Sequence, residues 1–282
     1  MNEKIKEYEK YLVSEEKAPS TVSKYLHDVL MFAEWLGGRQ LNKAAVQEYK
    51  MLLESEYAVK SVNSIISSLN SLFDWLGCPE YKVKNLKIQK KIFSEPNRDL
   101  TKEEYERLLK TAFKQGKKRL YLVMLTICST GIRVSELKFI TVEAVMQGVV
   151  RVNCKGKNRV ILIPRKLCQI LSTYAQEKNV KDGSIFVTKN GRTLDRSNIW
   201  TEMKKLCGQA NVLATKVFPH NLRHLFGKTY YAIHQDIVRL ADILGHTSVN
   251  TTRIYTIESG EIHRTRIQKL GLILDLFSVN TT

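Results

Sequence analysis

Apolar residues recur at helical spacing through the first part of the chain. Ile5, Tyr8, Tyr11 and Leu12 form one stripe, and Val22, Tyr25, Leu26, Val29, Leu30, Ala33 and Leu36 form a second. A third runs through Ala45, Val46, Tyr49, Leu52 and Leu53, and a fourth through Val62, Ile65, Ile66, Leu69, Leu72, Phe73 and Leu76. An apolar residue at every third or fourth position gives a helix one face to bury. Pro19-Ser20-Thr21 opens the second helix, Gly37-Gly38 closes it, and Gly77 and Pro79 close the fourth. The pattern predicts a four-helix domain with short antiparallel connections over residues 1–87.

From Tyr81 the stripe decays into Lys82, Lys84, Lys87, Lys90 and Lys91, and Pro96 opposes a helix, so residues 88–99 read as a linker. The second domain, 100–282, opens on Thr101-Lys-Glu-Glu104, a capping box. Leu120 to Cys128 is apolar nearly all round and predicts a buried helix. Thr130-Gly131 ends it and puts Arg133 at the start of a further helix, Val134 to Phe139. Gly148 to Val152 and Arg159 to Ile163 are β-branched runs around Cys-Lys-Gly-Lys-Asn, which predicts a hairpin. Ser184 to Val187, with Asn190-Gly191 behind it, reads as another short strand, and helices return from Ser197 onward. The fold expected is mainly α with a small β-sheet: a helical N-terminal domain and an α/β C-terminal one.

Composition narrows the class. No apolar run approaches the ~20 residues needed to span a bilayer, and the start lacks the order of a secretory signal. The five cysteines (78, 128, 154, 168 and 207) are odd in number and form no C-x-x-C. Reduced thiols in a cytoplasmic, nucleoid-associated protein with no membrane partner are therefore expected. Lysine and arginine number 45 against 28 acidic residues, a formal charge of +17. That excess suits a protein that grips many phosphates, but it does not choose among DNA, RNA and an anionic membrane.

The choice comes from Phe218-Pro-His-Asn-Leu-Arg-His224 and from Leu244-Gly-His246, with Tyr255 nine residues further on. Pro219 marks a helix start, and His220 and Arg223 stand three apart on one face. A helix N-terminus, a guanidinium and an imidazole together make a site for a phosphate. Upstream lie Thr130-Gly-Ile-Arg-Val-Ser-Glu-Leu137 and the hairpin turn Lys155-Gly156. Together these motifs resemble the signature of the tyrosine recombinases, or phage-integrase family, and span about half the chain. Ala18-Pro-Ser-Thr-Val to Tyr25 resembles the opening of that family's core-binding, SAM-like domain. There, small polar side chains among lysines, here Ser20, Thr21, Ser23, Lys24, Lys60, Ser61, Asn63, Ser64 and Ser67, suit phosphate and groove contacts.

The resemblance implies a catalytic set of Arg133, Lys155, His220, Arg223, His246 and the nucleophile Tyr255, with Glu136 orienting an arginine. The chemistry of these side chains fits. Guanidinium forks match the non-bridging oxygens of a phosphate, and His246 adds a donor. A lysine on a hairpin tip can protonate the leaving 5′-oxygen, and His220 can take the phenolic proton. Lys157 competes with Lys155, because this turn is shorter than the family's. His224 is left out, since adjacent side chains on a helix diverge by about 100°. No metal or cofactor is called for. The resemblance further implies double-stranded DNA with a specific recombination site as partner. It implies a homotetramer that exchanges the apolar tail from Leu270 to Phe277 in trans and passes through a Holliday junction, with an accessory or second recombinase possible. A nicking-closing enzyme of the type IB topoisomerase kind would use the same residues. A non-catalytic DNA-binding protein would have no use for a positioned phenol.

Overall fold

The computed structural model describes residues 2–88, 98–154, 157–188, 190–257 and 260–272. Contacts divide the chain into two compact units, Met1–Lys90 and Lys91–Thr282. Both are mostly helical, and the sheet found among the described residues has two strands. No helix among the described residues is long and apolar enough to cross a membrane.

The first unit is the expected four helices: α1 (Asn2–Ser14), α2 (Pro19–Leu36), α3 (Lys43–Glu56) and α4 (Val59–Trp75). Pro19 occupies the first turn of α2, where its missing N–H costs nothing, and the Asn42 side chain caps α3. The predicted stripes meet in one core that includes Tyr8, Leu12, Phe32, Tyr49, Leu53, Ile66, Leu69 and Phe73. Two residues of the polar surface read from the sequence, Lys24 and Asn63, bond within the unit while staying half-buried. Lys24 pairs with the buried Asp28, donates to Ser68 Oγ at 2.9 Å, and so joins α2 to α4. Asn63 exchanges two hydrogen bonds with the backbone of Leu86, and Asn70 does the same with Val83. The lysine-rich segment after Tyr81 is therefore strapped along α4 as far as Leu86, in the absence of any apolar period of its own.

In the second unit the capping box forms as read: Thr101 and Glu104 bond each other's backbone N–H at the start of α5 (Lys102–Lys114). Helix α6 (Lys118–Thr130) is the buried one. The stretch Val134–Phe139 is a 3-10 turn rather than an α-helix, and the Glu136 carboxylate caps it by accepting the Arg133 N–H at 2.9 Å. After α7 (Val142–Gln147) comes the predicted hairpin, β1 (Val149–Cys154) with β2 (Lys157–Leu162), antiparallel, Val149 opposite Leu162 and Cys154 opposite Lys157. The expected strand at Ser184–Val187 does not form. Only isolated bridges occur there, Thr141 with Ser184 and Val187 with Thr193. Its consecutive apolar residues Ile185 and Phe186 are both buried, so the run plugs the core rather than alternating across a sheet.

The remaining elements are α8 (Arg165–Glu177), α9 (Arg196–Lys204), α10 (Cys207–Ala210), α11 (Pro219–His234), α12 (Ile237–Leu244), α13 (Val249–Thr252) and α14 (Gly260–Gln268). Helix α11 packs against α6 and α12, and Tyr255 ends a 3-10 turn, Arg253–Tyr255, that folds back on α11. That packing assembles the site.

Candidate active site

Arg223 is the hub. It is only 2% exposed, yet it carries a full charge on α11. Its guanidinium donates to the Gly131 carbonyl at the end of α6 and to the Leu244 carbonyl at the end of α12, the latter at 2.6 Å. Carbonyls at helix C-termini have no intrahelical partner and carry partial negative charge, so a buried cation satisfies both. Burial and the neighbouring Arg133 and Arg159 push its pKa down to about 10, which still leaves it charged at neutral pH.

His246 follows Gly245, whose φ of 61° is the left-handed cap of α12. Its Nε2 lies 3.1 Å from Arg223 Nη2 and its Nδ1 lies 2.9 Å from Thr252 Oγ1. Arginine can only donate, so Nε2 accepts and the ring proton sits on Nδ1, pointing at Thr252. Burial, then Arg223, Arg133 and Arg159, push its pKa down to about 4, and the ring is neutral.

Arg133 and Glu136 share the 3-10 turn. Arg133 Nη1 bonds Glu136 Oε1 at 3.0 Å, and Nη2 reaches the Gly245 carbonyl at 3.1 Å. Glu136 is 4% exposed, and its other oxygen accepts from Arg159 Nη2 at 2.6 Å. Arg159 was not anticipated. It also donates to the Ile243 carbonyl at 3.2 Å, and a Cβ at position 245 would stand 2.5 Å from its Cδ, so Gly245 is needed for contact as well as for its backbone angle. Strand alternation held the signal: Arg159 shares parity with the buried Ile161 and Ile163, whereas Val160 and Leu162 are exposed.

Tyr255 is 4% exposed. Its ring lies over Gly227, where a Cβ would come within 2.6 Å of Cε1, and it stacks near-parallel on His246 at a centroid distance of 6.3 Å. Its hydroxyl is buried with no hydrogen-bond partner among the described residues. Burial raises its pKa, against the pull of Arg223 and Arg133 toward the phenolate. The phenol is therefore protonated at neutral pH and needs a base.

His220 is exposed on the first turn of α11. Crowding by neighbouring atoms, then Arg223, Arg196 and Arg133, lower its pKa and favour the neutral ring. His224, set aside on angular grounds, lies at the tyrosine: its ring centroid is 4.9 Å from that of Tyr255. Positions 220, 223, 224 and 227 are the offsets 0, 3, 4 and 7 that share one helical face, so adjacency to Arg223 does not exclude it. Lys155 and the side chain of Lys157 lie outside the described residues, although the hairpin that carries them is formed. Among the described residues no group of three or more His, Cys, Asp or Glu is placed to hold a metal ion.

Residues 98–261 match the model of the Phage integrase family, and residues 5–77 match the Phage integrase, N-terminal SAM-like domain. The first match alone spans more than half the chain. This chain belongs to the phage integrase family. Tyrosine recombinase XerA of Thermococcus kodakarensis is 32% identical to it over 279 residues, 96% of each chain. A lambda integrase (75–356) dimer bound to a COC′ core site shares the fold with a TM-score of 0.71 at 18% identity, over 90% of this chain and 94% of that one. A lambda integrase tetramer bound to a Holliday junction does so at 0.68 and 19%, over 89% and 75%. Membership makes this phage-integrase chain a tyrosine recombinase, an enzyme of DNA strand transfer.

Proposed function

We propose that Tyr255 is the nucleophile of a site-specific recombination reaction run by this family member, with Arg133, Arg223, His220, His246 and Lys155 in the catalytic set. The phenolic oxygen attacks the scissile phosphorus, a 3′-phosphotyrosyl bond forms, and the bond to the 5′-oxygen breaks. The phenolic proton passes to neutral His220. Arg133 and Arg223 neutralise the non-bridging oxygens as charge concentrates on the pentacoordinate phosphorus. Glu136 and Arg159 hold Arg133 in place. His246 orients Arg223 by accepting from it at Nε2, and it becomes a donor to the phosphate when that contact is released and the ring proton moves from Nδ1 to Nε2. Lys155, or failing it Lys157, protonates the leaving 5′-oxygen. Rejoining runs the same steps backward from a 5′-hydroxyl, so the bond energy is conserved and no nucleotide cofactor is needed.

The observation that carries this reading is the seat of Tyr255: a buried phenol without a hydrogen-bond partner among the described residues, against Gly227 and beside the arginine cluster. Tyr8 in the core of the first unit also has a buried hydroxyl without a partner, so what distinguishes Tyr255 is the arginine cluster beside it. The partner proposed is duplex DNA carrying a recombination site, bound by four copies, and the lambda integrase tetramer on a Holliday junction supports that stoichiometry. Leu270 and Leu272, 63% and 84% exposed, lead into a tail proposed to dock on a neighbouring protomer, and residues 273–282 lie outside the described ones. Incubating the protein with a nicked suicide substrate tests the assignment. The wild type should give a covalent protein–DNA band and Tyr255→Phe none, with site binding unchanged. A band from the Phe variant would move the nucleophile elsewhere, Tyr230 and Tyr231 being the nearest candidates in sequence.

A further inference from the structure

The face of α11 that supplies His220 and Arg223 carries one more functional group than the chemistry above uses. His224 has its ring against Tyr255, centroids 4.9 Å apart and planes inclined by 43°. Its Nδ1 lies 3.3 Å from Asp99 Oδ1. The other carboxylate oxygen of Asp99 pairs with Lys228, one turn further along α11. A continuous chain of contacts thus runs from Lys228 through Asp99 and His224 to Tyr255.

We propose that His224, held by Asp99, is a positioning residue for the nucleophile, fixing the plane of the Tyr255 ring and with it the line of approach to phosphorus. This rests on Tyr255 being the nucleophile. The hydroxyl makes no hydrogen bond of ordinary geometry with the described residues, and the pull of Arg223 on its oxygen does not set the plane of the ring, which is left to packing. Gly227 sets its depth and His246 faces it, but parallel stacking leaves the ring free to slide in its own plane. The inclined ring of His224 blocks that slide. An imidazole by itself turns about its own side-chain bonds; a carboxylate on Nδ1 stops the turn, as it does for histidines that orient metals and nucleophiles. Asp99 is in turn fixed by Lys228. In-line attack needs placement to within about half an ångström and 10–20°, so a support of this kind acts on the rate without touching DNA.

Asp99 is also the last residue of the segment read as the linker, and it lies within the catalytic unit. The nucleophile's seat is therefore tied to the end of that segment, a connection that neither the arginines nor Gly227 makes.

The test uses the full chain and single-turnover cleavage of a nicked suicide substrate at saturating protein, with half-site affinity measured by gel shift. His224→Ala and Asp99→Asn should each slow adduct formation at least ~10-fold while the half-site Kd stays within about twofold. His224→Phe, which keeps a ring but cannot bind Asp99, should fall between His224→Ala and wild type. Asp99→Glu should recover part of the rate lost in Asp99→Asn. The pH–rate profile should keep its shape in His224→Phe. Disappearance of a limb would make His224 the proton acceptor, with Asp99, Lys228 and His220 around it, and would overturn a positioning role. Melting curves separate folding from rate: a variant that melts earlier but cleaves at the wild-type rate per folded molecule would also overturn the proposal. Wild type and Tyr255→Phe run in the same assay. If wild type forms no adduct, or the Phe variant forms one, the nucleophile assignment fails. A normal wild-type adduct with unslowed His224→Ala and Asp99→Asn sinks only the inference about His224.

Discussion

Gly227 and Tyr255 fit only because position 227 has no side chain: a Cβ there would lie 2.6 Å from Cε1 and 2.7 Å from Cδ1 of the tyrosine. Alanine at this mid-helix site gains about 1 kcal/mol of helix propensity and loses about 1–3 kcal/mol to overpacking. Gly227→Ala should therefore change the melting temperature little. It should nonetheless cut covalent adduct formation by roughly 100-fold, since a displacement on the order of 1 Å suffices for that. Paired melting and suicide-substrate measurements on one preparation check both halves.

Arg223→Lys keeps the charge and loses the fork. A lysine ammonium cannot serve the Gly131 and Leu244 carbonyls together with His246 Nε2. At least one buried acceptor would go unsatisfied, a loss of about 1–3 kcal/mol that chemical denaturation would register. Cleavage should fall at least ~100-fold, the scale set by removing one transition-state donor.

Acid should destabilise this protein partly through His246. Its pKa is held down to about 4 by burial and by Arg223, Arg133, Arg159 and His220, whereas in the unfolded chain it titrates near ~6.5. Between those values the unfolded chain takes up a proton that the native ring refuses. Stability is full above the upper value and is lost as pH falls toward the lower one. His224, also pushed down to about 4, adds a loss of the same sign. Melting temperature followed from neutral pH into that window should drop less in His246→Gln than in wild type.

The general acid can be assigned by chemistry rather than by placement. Sulfur in place of the bridging 5′-oxygen leaves without a proton. Lys155→Ala should be crippled on ordinary DNA and largely rescued on the sulfur substrate, while Arg133→Ala should not be. Rescue of Lys157→Ala but not of Lys155→Ala would transfer the role.

Local signals carried far. The capping box at Thr101, the hairpin, Gly245 as a helix stop, the three-residue step from His220 to Arg223 and the nine-residue step from His246 to Tyr255 are all short-range patterns, legible as residues in order. What escaped depends on partners distant in sequence. Lys24 and Asn63 look like exposed polar residues until α2 and the segment after Tyr81 fold onto α4. Arg159 reads as a charge in a strand until α12 supplies the Ile243 carbonyl. His224 diverges from its immediate neighbour but shares the α11 face of positions 220, 223 and 227, and only the fold brings Tyr255 against it.

Arg223 meets Gly131 across 92 positions of sequence, Arg133 meets Gly245 across 112, and Arg159 meets Ile243 across 84. Contacts of such reach form late, because the chain between them must be ordered before they repay it. A chain still being synthesised carries Arg133 well before α11 and α12 exist to receive it. If Tyr255 is the nucleophile, a half-folded copy likewise holds the phenol without Arg133 and Arg223 around it. Strand transfer by this tyrosine recombinase therefore waits on the finished fold.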